Sequence, residues 1–331
     1  MMQRLQQKSW SSITWIYSIQ IQISLFMLAY KSFLNEAAKK YAGLKELTPE
    51  ESKALKNCLL DIYKHVAHVC MAHNLVIMLG GGSCLGAVRH QGFIPWDDDM
   101  DLMMPRTDYE QLIELCEQGE LGNNYFIRYP NAEKDSPTMF LKVYRKSTLM
   151  KGLGGDCSPF PQECFIDIFP IEGVPENRII RYLKGLLANA IRLIANMVAE
   201  NVPIAEWEKG LYSADKSLFR LIYVRRFWGK CFSIIGHKTW VRWYDRLVRD
   251  TTSNALVGIP TGRKLYNGEV FDASILFPPR NGWFEGIEVC LPADTDSYLS
   301  NLYGSYMEIP SKEKRERHIV VDFQVPAQFY G

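Results

Sequence analysis

The chain has no C-x-x-C pair, no His/Cys cluster at metal-ligand spacing, no internal repeat and no low-complexity tract. Its eight cysteines are scattered over 331 residues, so a zinc site is not expected and a reducing, cytoplasmic setting is the simplest host. His65, His68 and His73 lack acidic companions and read as ordinary helix residues. Charge of one sign is also missing. Thirty-eight Lys and Arg face 37 Asp and Glu for a net charge of +1, and no long basic run occurs, so nothing argues for a nucleic-acid partner. The length allows one large domain or two modest ones.

Residues 1–43 read as an N-terminal extension. Ser9 to Tyr30 carries no charge and is flanked by Lys8 and Lys31, about long enough to cross a bilayer. Gln20, Gln22 and Ser24 interrupt it, and Ile19, Ile21, Ile23 and Leu25 alternate with period two, which suits a strand or irregular packing better than an anchor. No small-residue cleavage site follows, so a cleaved signal peptide is not expected.

What the chain does have is acid. Four aspartates fall within five residues, Asp97-Asp98-Asp99-Met100-Asp101. Asp99-Met100-Asp101-Leu102 reads as the start of a strand, which would put Asp97, Asp99 and Asp101 on one face and Asp98 on the other. Like charges so placed persist when a multivalent cation neutralises them, and hard oxygen donors select Mg²⁺ or Mn²⁺.

Ahead of the acids lie the apolar run Leu75–Leu79, suited to a buried strand, and the glycines Gly80, Gly81 and Gly82. Ser83 is expected to cap a short helix reaching Arg89. A glycine turn at a helix N-terminus exposes backbone N–H groups to phosphate. Asp167 is a lone carboxylate in the alternating run Phe165–Phe169, where an unpaired charge is costly to bury. It reads either as a metal ligand or as a salt-bridge partner. Lys142, alone in Met139–Tyr144, reads as a phosphate clamp or an ordinary strand lysine. Arg89 and His90 could reach a phosphate or cap the helix end. His318 has a weaker case.

The run from Gly81 through Ser83-Cys84-Leu85-Gly86-Ala87-Val88-Arg89-His90 to Trp96-Asp97-Asp98-Asp99-Met100-Asp101 resembles the signature of the LicD family in the nucleotidyltransferase superfamily. The likeness continues through Pro105–Tyr109 and Phe165–Pro170, with an echo at Leu302–Met307, Pro310 and His318. It implies Asp99 and Asp101 as bridging ligands, Asp97 as an accessory ligand, and Asp167 as a second-metal ligand and base. Two Mg²⁺ (or Mn²⁺) ions are implied, with Gly81, Gly82, Ser83, Arg89 and Lys142 on the donor phosphates. The implied activity is transfer of a phospho-alcohol such as phosphocholine from a CDP-alcohol donor to a hydroxyl of a cell-surface glycan or its lipid-linked precursor.

The expected architecture is α/β, a nucleotidyltransferase-like mixed sheet. Residues 44–175 form the catalytic core, 176–255 a helical insertion and 256–331 a region completing the acceptor side. The core opens on a capping box at Thr48-Pro49-Glu50-Glu51. Basic, aromatic helices are expected at 178–197, 213–235 and 238–250, packing inward or resting on a membrane surface at its inner face. A nucleotidyl transferase would use the same residues. A glycosyltransferase would not need the glycine turn or Asp167. A calcium-binding loop starting at Asp97 would need Gly and Glu where Leu102 and Asp108 stand.

Overall fold

A computed structural model describes residues 44–331 except 214–215, 252–254, 312–314 and 316–318, so the uncharged N-terminal run and His318 lie outside the described residues. Helix α1 (Pro49–Ala72) begins as its residues dictate. The Thr48 side chain accepts from the Glu51 N–H, and the Glu51 carboxylate accepts from the Thr48 N–H. Leu55, Leu59, Ile62, Val66 and Val69 form its buried stripe.

The sheet contains β1 (Met78–Leu79), β2 (Asp101–Pro105), β3 (Tyr125–Arg128), β4 (Leu141–Arg145) and β6 (Phe165–Gly173) in the order β1-β2-β6-β4-β3. The β2–β6 pair is parallel, and the other neighbours in this order are antiparallel. This is an α/β fold on a mixed sheet. Helices α2 (Gly81–His90) and α3 (Arg106–Glu117) flank β2 in sequence. A short strand β5 (Leu149–Lys151) lies between β4 and β6 in sequence.

Four helices follow: α4 (Arg178–Ala199), α5 (Glu206–Ser213), α6 (Lys216–Phe232) and α7 (His237–Val248). They are fastened to the sheet by a buried ionic cluster. Arg106, at the start of α3, donates through Nε to Glu172 Oε1 on β6 at 2.8 Å, and its Nη2 lies 3.0 Å from Asp245 Oδ1 on α7. The other Asp245 oxygen accepts from Asn131 at 2.8 Å. Fully partnered, such charges tolerate burial. Among the described residues no helix is long and apolar enough to cross a membrane.

After α7 the chain returns to the sheet. Strand β7 (Leu256–Gly258) pairs with the end of β6, and β8 (Val270–Asp272) pairs with β7. A hairpin of β9 (Arg280–Phe284) and β10 (Ile287–Leu291) precedes α8 (Thr295–Tyr303), and β11 (Asp322–Gln324) pairs with β5.

Candidate active site

The loop Asp97–Met100 is not strand. The Asp97 N–H turns back to the Ile94 carbonyl at 2.9 Å, and regular β2 begins only at Asp101. The expected sharing of one strand face therefore fails for Asp97 and Asp99, which reach the site from a loop. Asp98 is buried there. The strand expected over Leu75–Leu79 is likewise only Met78–Leu79.

Asp101 stands at the centre. It is in register with Asp167 across the parallel β2–β6 pair, and Asp167 is in register with Lys142 on β4. Residues in register on adjacent strands project to the same side. Burial pushes the Asp101 carboxyl well above its ordinary range, and the charges of Asp99 and Asp167 push it further. Burial also raises Asp167, opposed by the ammonium of Lys142. Lys142 Nζ lies 2.6 Å from Asp167 Oδ1 and 3.4 Å from the Phe165 ring centroid. The lysine offered by the sequence as a phosphate clamp is thus a partner of the carboxylate.

The glycine turn is occupied differently from the expectation. Helix α2 starts at Gly81 with Gly80 as its cap, so Ser83 is not the capping residue. Ser83 Oγ instead accepts from the Asp101 N–H at 2.9 Å, tying helix to strand. The Gly82 N–H donates to Asp101 Oδ2 at 3.3 Å, and the Gly81 N–H to the Tyr298 hydroxyl at 3.0 Å. A Cβ at Gly82 would lie 2.8 Å from Asp97 Oδ2. One at Gly81, where φ is +43°, would strike the Asp101 carboxylate. Here the glycines let carboxylates close on the main chain.

Arg89 is drawn away from the turn. Its Nη1 donates to the Tyr306 carbonyl at 2.7 Å and the Glu308 carbonyl at 3.2 Å, and its Nε contacts His90 Nε2 at 3.0 Å. It fastens α2 to the segment after α8. Burial and the Arg89 charge lower the His90 pKa.

Two cavities border these residues. One, of about 240 Å³, runs from Gly80, Gly81 and Asp101 to Arg192, Thr261, Arg263, Glu269, Tyr298 and Tyr303. The other, of about 450 Å³, contains Asp98, Asp99, Lys142, Phe165 and Asp167. No local pattern marks Tyr298, Thr261 or Glu269, which come from more than 150 residues beyond Asp101. Tyr303 lay in the weaker C-terminal echo.

A divalent cation suits this donor set in kind, because the hard carboxylates of Asp97 and Asp101 close on the glycine turn and Asp101 is crowded by the charges of Asp99 and Asp167. Among the described residues no three His, Cys, Asp or Glu side chains stand ready-grouped around an ion. Asp99 and Asp101 would hold the first. Asp167 would serve a second, with Lys142 remaining on its Oδ1.

Residues 74–174 match the LicD/FKTN/FKRP nucleotidyltransferase-domain family. The likeness is to this one domain and covers under a third of the chain. It is 34% identical over 140 residues to the lipopolysaccharide cholinephosphotransferase LicD of Haemophilus influenzae, covering 42% of this chain and 50% of that protein. An uncharacterised Rickettsia prowazekii protein is 33% identical over 106 residues, covering 31% of this chain and 35% of its own. A counterpart in Rickettsia typhi is 34% identical over 80 residues, 23% of this chain and 25% of that one. The chain thus spans half or less of the length of these curated relatives. The matched LicD domain contains the turn, the aspartate run, Lys142 and Asp167.

Proposed function

We propose that this protein transfers a phospho-alcohol, phosphocholine foremost, from a CDP-alcohol to a hydroxyl of a cell-surface glycan such as lipopolysaccharide or teichoic acid, or its lipid-linked precursor. The observation that carries this reading is the placement of Asp101. It faces Asp167 in register, touches the glycine turn of α2, and lies in a domain of the LicD family.

In this reading the acceptor oxygen attacks the phosphorus that bears the alcohol. The new P–O bond forms as the bond to CMP breaks, and CMP leaves with the bridging oxygen. The acceptor proton passes to a carboxylate, for which Asp167 is the candidate base. Mg²⁺ or Mn²⁺ at Asp99 and Asp101 would supply charge neutralisation for the diphosphate. Lys142 holds Asp167 by Oδ1, fixing its orientation. Two cavities, one lined by Asp101 and the other by Asp99 and Asp167, would give donor and acceptor separate approaches, and alignment of this kind is a large part of catalysis in phosphoryl transfer.

The helices α4 and α6 add an acceptor-side feature. Ile179, Ile180, Leu183 and Leu187 on α4, and Tyr223, Val224, Phe227 and Trp228 on α6, are exposed. Fourteen Lys and Arg against six Asp and Glu occur between Arg178 and Asp250. An apolar face in a basic surround fits the surface of an anionic membrane that holds a lipid-linked acceptor.

The deciding experiment incubates the full chain and Mg²⁺ with CDP-choline, CDP-ethanolamine and CDP-ribitol and scores CMP release. CMP from at least one donor, with the phospho-alcohol on a glycan acceptor, is expected. Release of pyrophosphate from CTP, with no CMP from any of these donors, would replace the reading with nucleotidyl transfer.

A further inference from the structure

The smaller cavity has a composition unlike the rest of the site. Phe140, Phe169, Tyr298 and Tyr303 present aromatic surface to it, and the Phe140 and Phe169 rings lie 4.4 Å apart. Glu269 lines it as well, with only 2% of its surface exposed. Thr261, 3% exposed, lines it with a hydroxyl that has no hydrogen-bond partner among the described residues. Buried polar groups are normally satisfied, so an orphan hydroxyl in a cavity wall points to a ligand or to water. Arg192 and Arg263 stand at the same cavity, and Asp101 opens onto it from the acidic layer.

Two features narrow the ligand. At about 240 Å³ the space is below the 300–1,000 Å³ usual for drug-sized ligands, so it suits a small head group rather than a nucleotide. Aromatic faces beside a carboxylate are also the setting in which quaternary ammonium groups are recognised, because the ring quadrupole attracts a cation that cannot donate hydrogen bonds. Arg192 and Arg263, which line the same cavity, supply the opposite sign for a phosphate. A zwitterion with a fixed cation at one end and a phosphate at the other meets both demands.

We propose that this cavity is the subsite for the quaternary ammonium end of the donor, with Phe140, Phe169, Tyr298 and Tyr303 as aromatic walls and Glu269 as the counter-charge. It follows that the enzyme selects choline over uncharged alcohols by charge, not by size. The inference rests on the phospho-alcohol reading above, but the subsite is read by binding alone.

The test is calorimetric titration of the full chain with choline and with its neutral isostere 3,3-dimethylbutan-1-ol, on the wild type and on Tyr303→Leu and Glu269→Gln. Choline should bind at least tenfold more tightly than the isostere, and each substitution should remove most of that preference. The half-buried Tyr303 gives a second variant should Glu269→Gln fold poorly. Equal binding of choline and isostere, or a choline preference unchanged in Tyr303→Leu, would overturn the assignment. Choline binding without CMP release from any CDP-alcohol would preserve the subsite and sink the transferase reading. CMP release without any choline preference would do the reverse.

Discussion

Asp101 and Asp167 face each other in register across neighbouring parallel strands, and Lys142 closes the row from the antiparallel strand on the far side of Asp167. The sheet therefore sets two acids and one ammonium side by side. The loop Asp97–Met100 brings Asp97 against the glycine turn and the charge of Asp99 to bear on Asp101.

This pairing separates two roles for Lys142. If it only balances Asp167, Lys142→Met should cost about 3–5 kcal/mol by leaving a buried carboxylate unpaired, and Asp167→Asn should cost a similar amount. If Asp167 also accepts the acceptor's proton, Asp167→Asn should reduce kcat at least a hundredfold while donor affinity changes little. Chemical denaturation and steady-state kinetics on the same Asp167→Asn sample check this. A stability loss with normal kcat per folded molecule would leave Asp167 as scaffold.

Gly82→Val should disable the site without unfolding the domain. Its side chain would meet Asp97 Oδ2, which lies 2.8 Å from where a Cβ begins. The acidic layer would have to move off the turn. We expect kcat/KM to fall at least a hundredfold with Tm lowered by only a few degrees, measured by CMP release and calorimetry. Unchanged kinetics would mean that contact between the turn and Asp97 is dispensable.

Burial raises the Glu269 carboxyl to about 7, against the pull of the Lys264 and Arg263 backbone N–H groups and the Arg192 and Lys264 charges; Tyr298 stands on the facing helix. Because the folded-state value lies above 4.5, the protonated form stabilises the fold at low pH, and this contribution fades as pH rises through about 7. The ionised form is the one that attracts a cation. Choline affinity should therefore increase between pH 6 and pH 8, and Glu269→Gln should flatten the profile. A flat wild-type titration would remove Glu269 from cation recognition.

The aromatic face of α6 predicts salt-sensitive binding to vesicles containing anionic lipid. Sedimentation should show the full chain bound to phosphatidylglycerol vesicles and free of phosphatidylcholine ones, with Phe227→Ser/Trp228→Ser weakening binding at least fivefold. Equal binding to both lipids, or no effect of the double substitution, would count against a membrane-facing role.

Much of the frame was legible because it depends on local rules. The capping box at Thr48, the helical spacing in α1, the strands carrying Lys142 and Asp167, and the helices after Pro175 follow from neighbouring residues. The errors arose where distant partners decide. Asp97 and Asp99 left the strand because a turn bond from Asp97 to Ile94 delays the start of β2. Ser83 lost its capping role to the Asp101 amide, and Arg89 went to carbonyls of Tyr306 and Glu308. Lys142 found Asp167 only through sheet register, and Tyr298 reaches the turn from α8. Apart from the local Asp97–Ile94 turn, none of these pairings leaves a pattern within a short window.

The central claim is that the acidic layer around Asp101 works with a divalent ion to move a phospho-alcohol. The most direct measurement is CMP release from CDP-choline by the full chain, wild type beside Asp101→Asn, each with Mg²⁺ and with excess EDTA. The account predicts release by the wild type that EDTA abolishes, and at least a thousandfold less from Asp101→Asn in a protein whose Tm is equal or higher, since crowding of like charge is relieved. Full activity of Asp101→Asn, or wild-type release indifferent to EDTA, would contradict it.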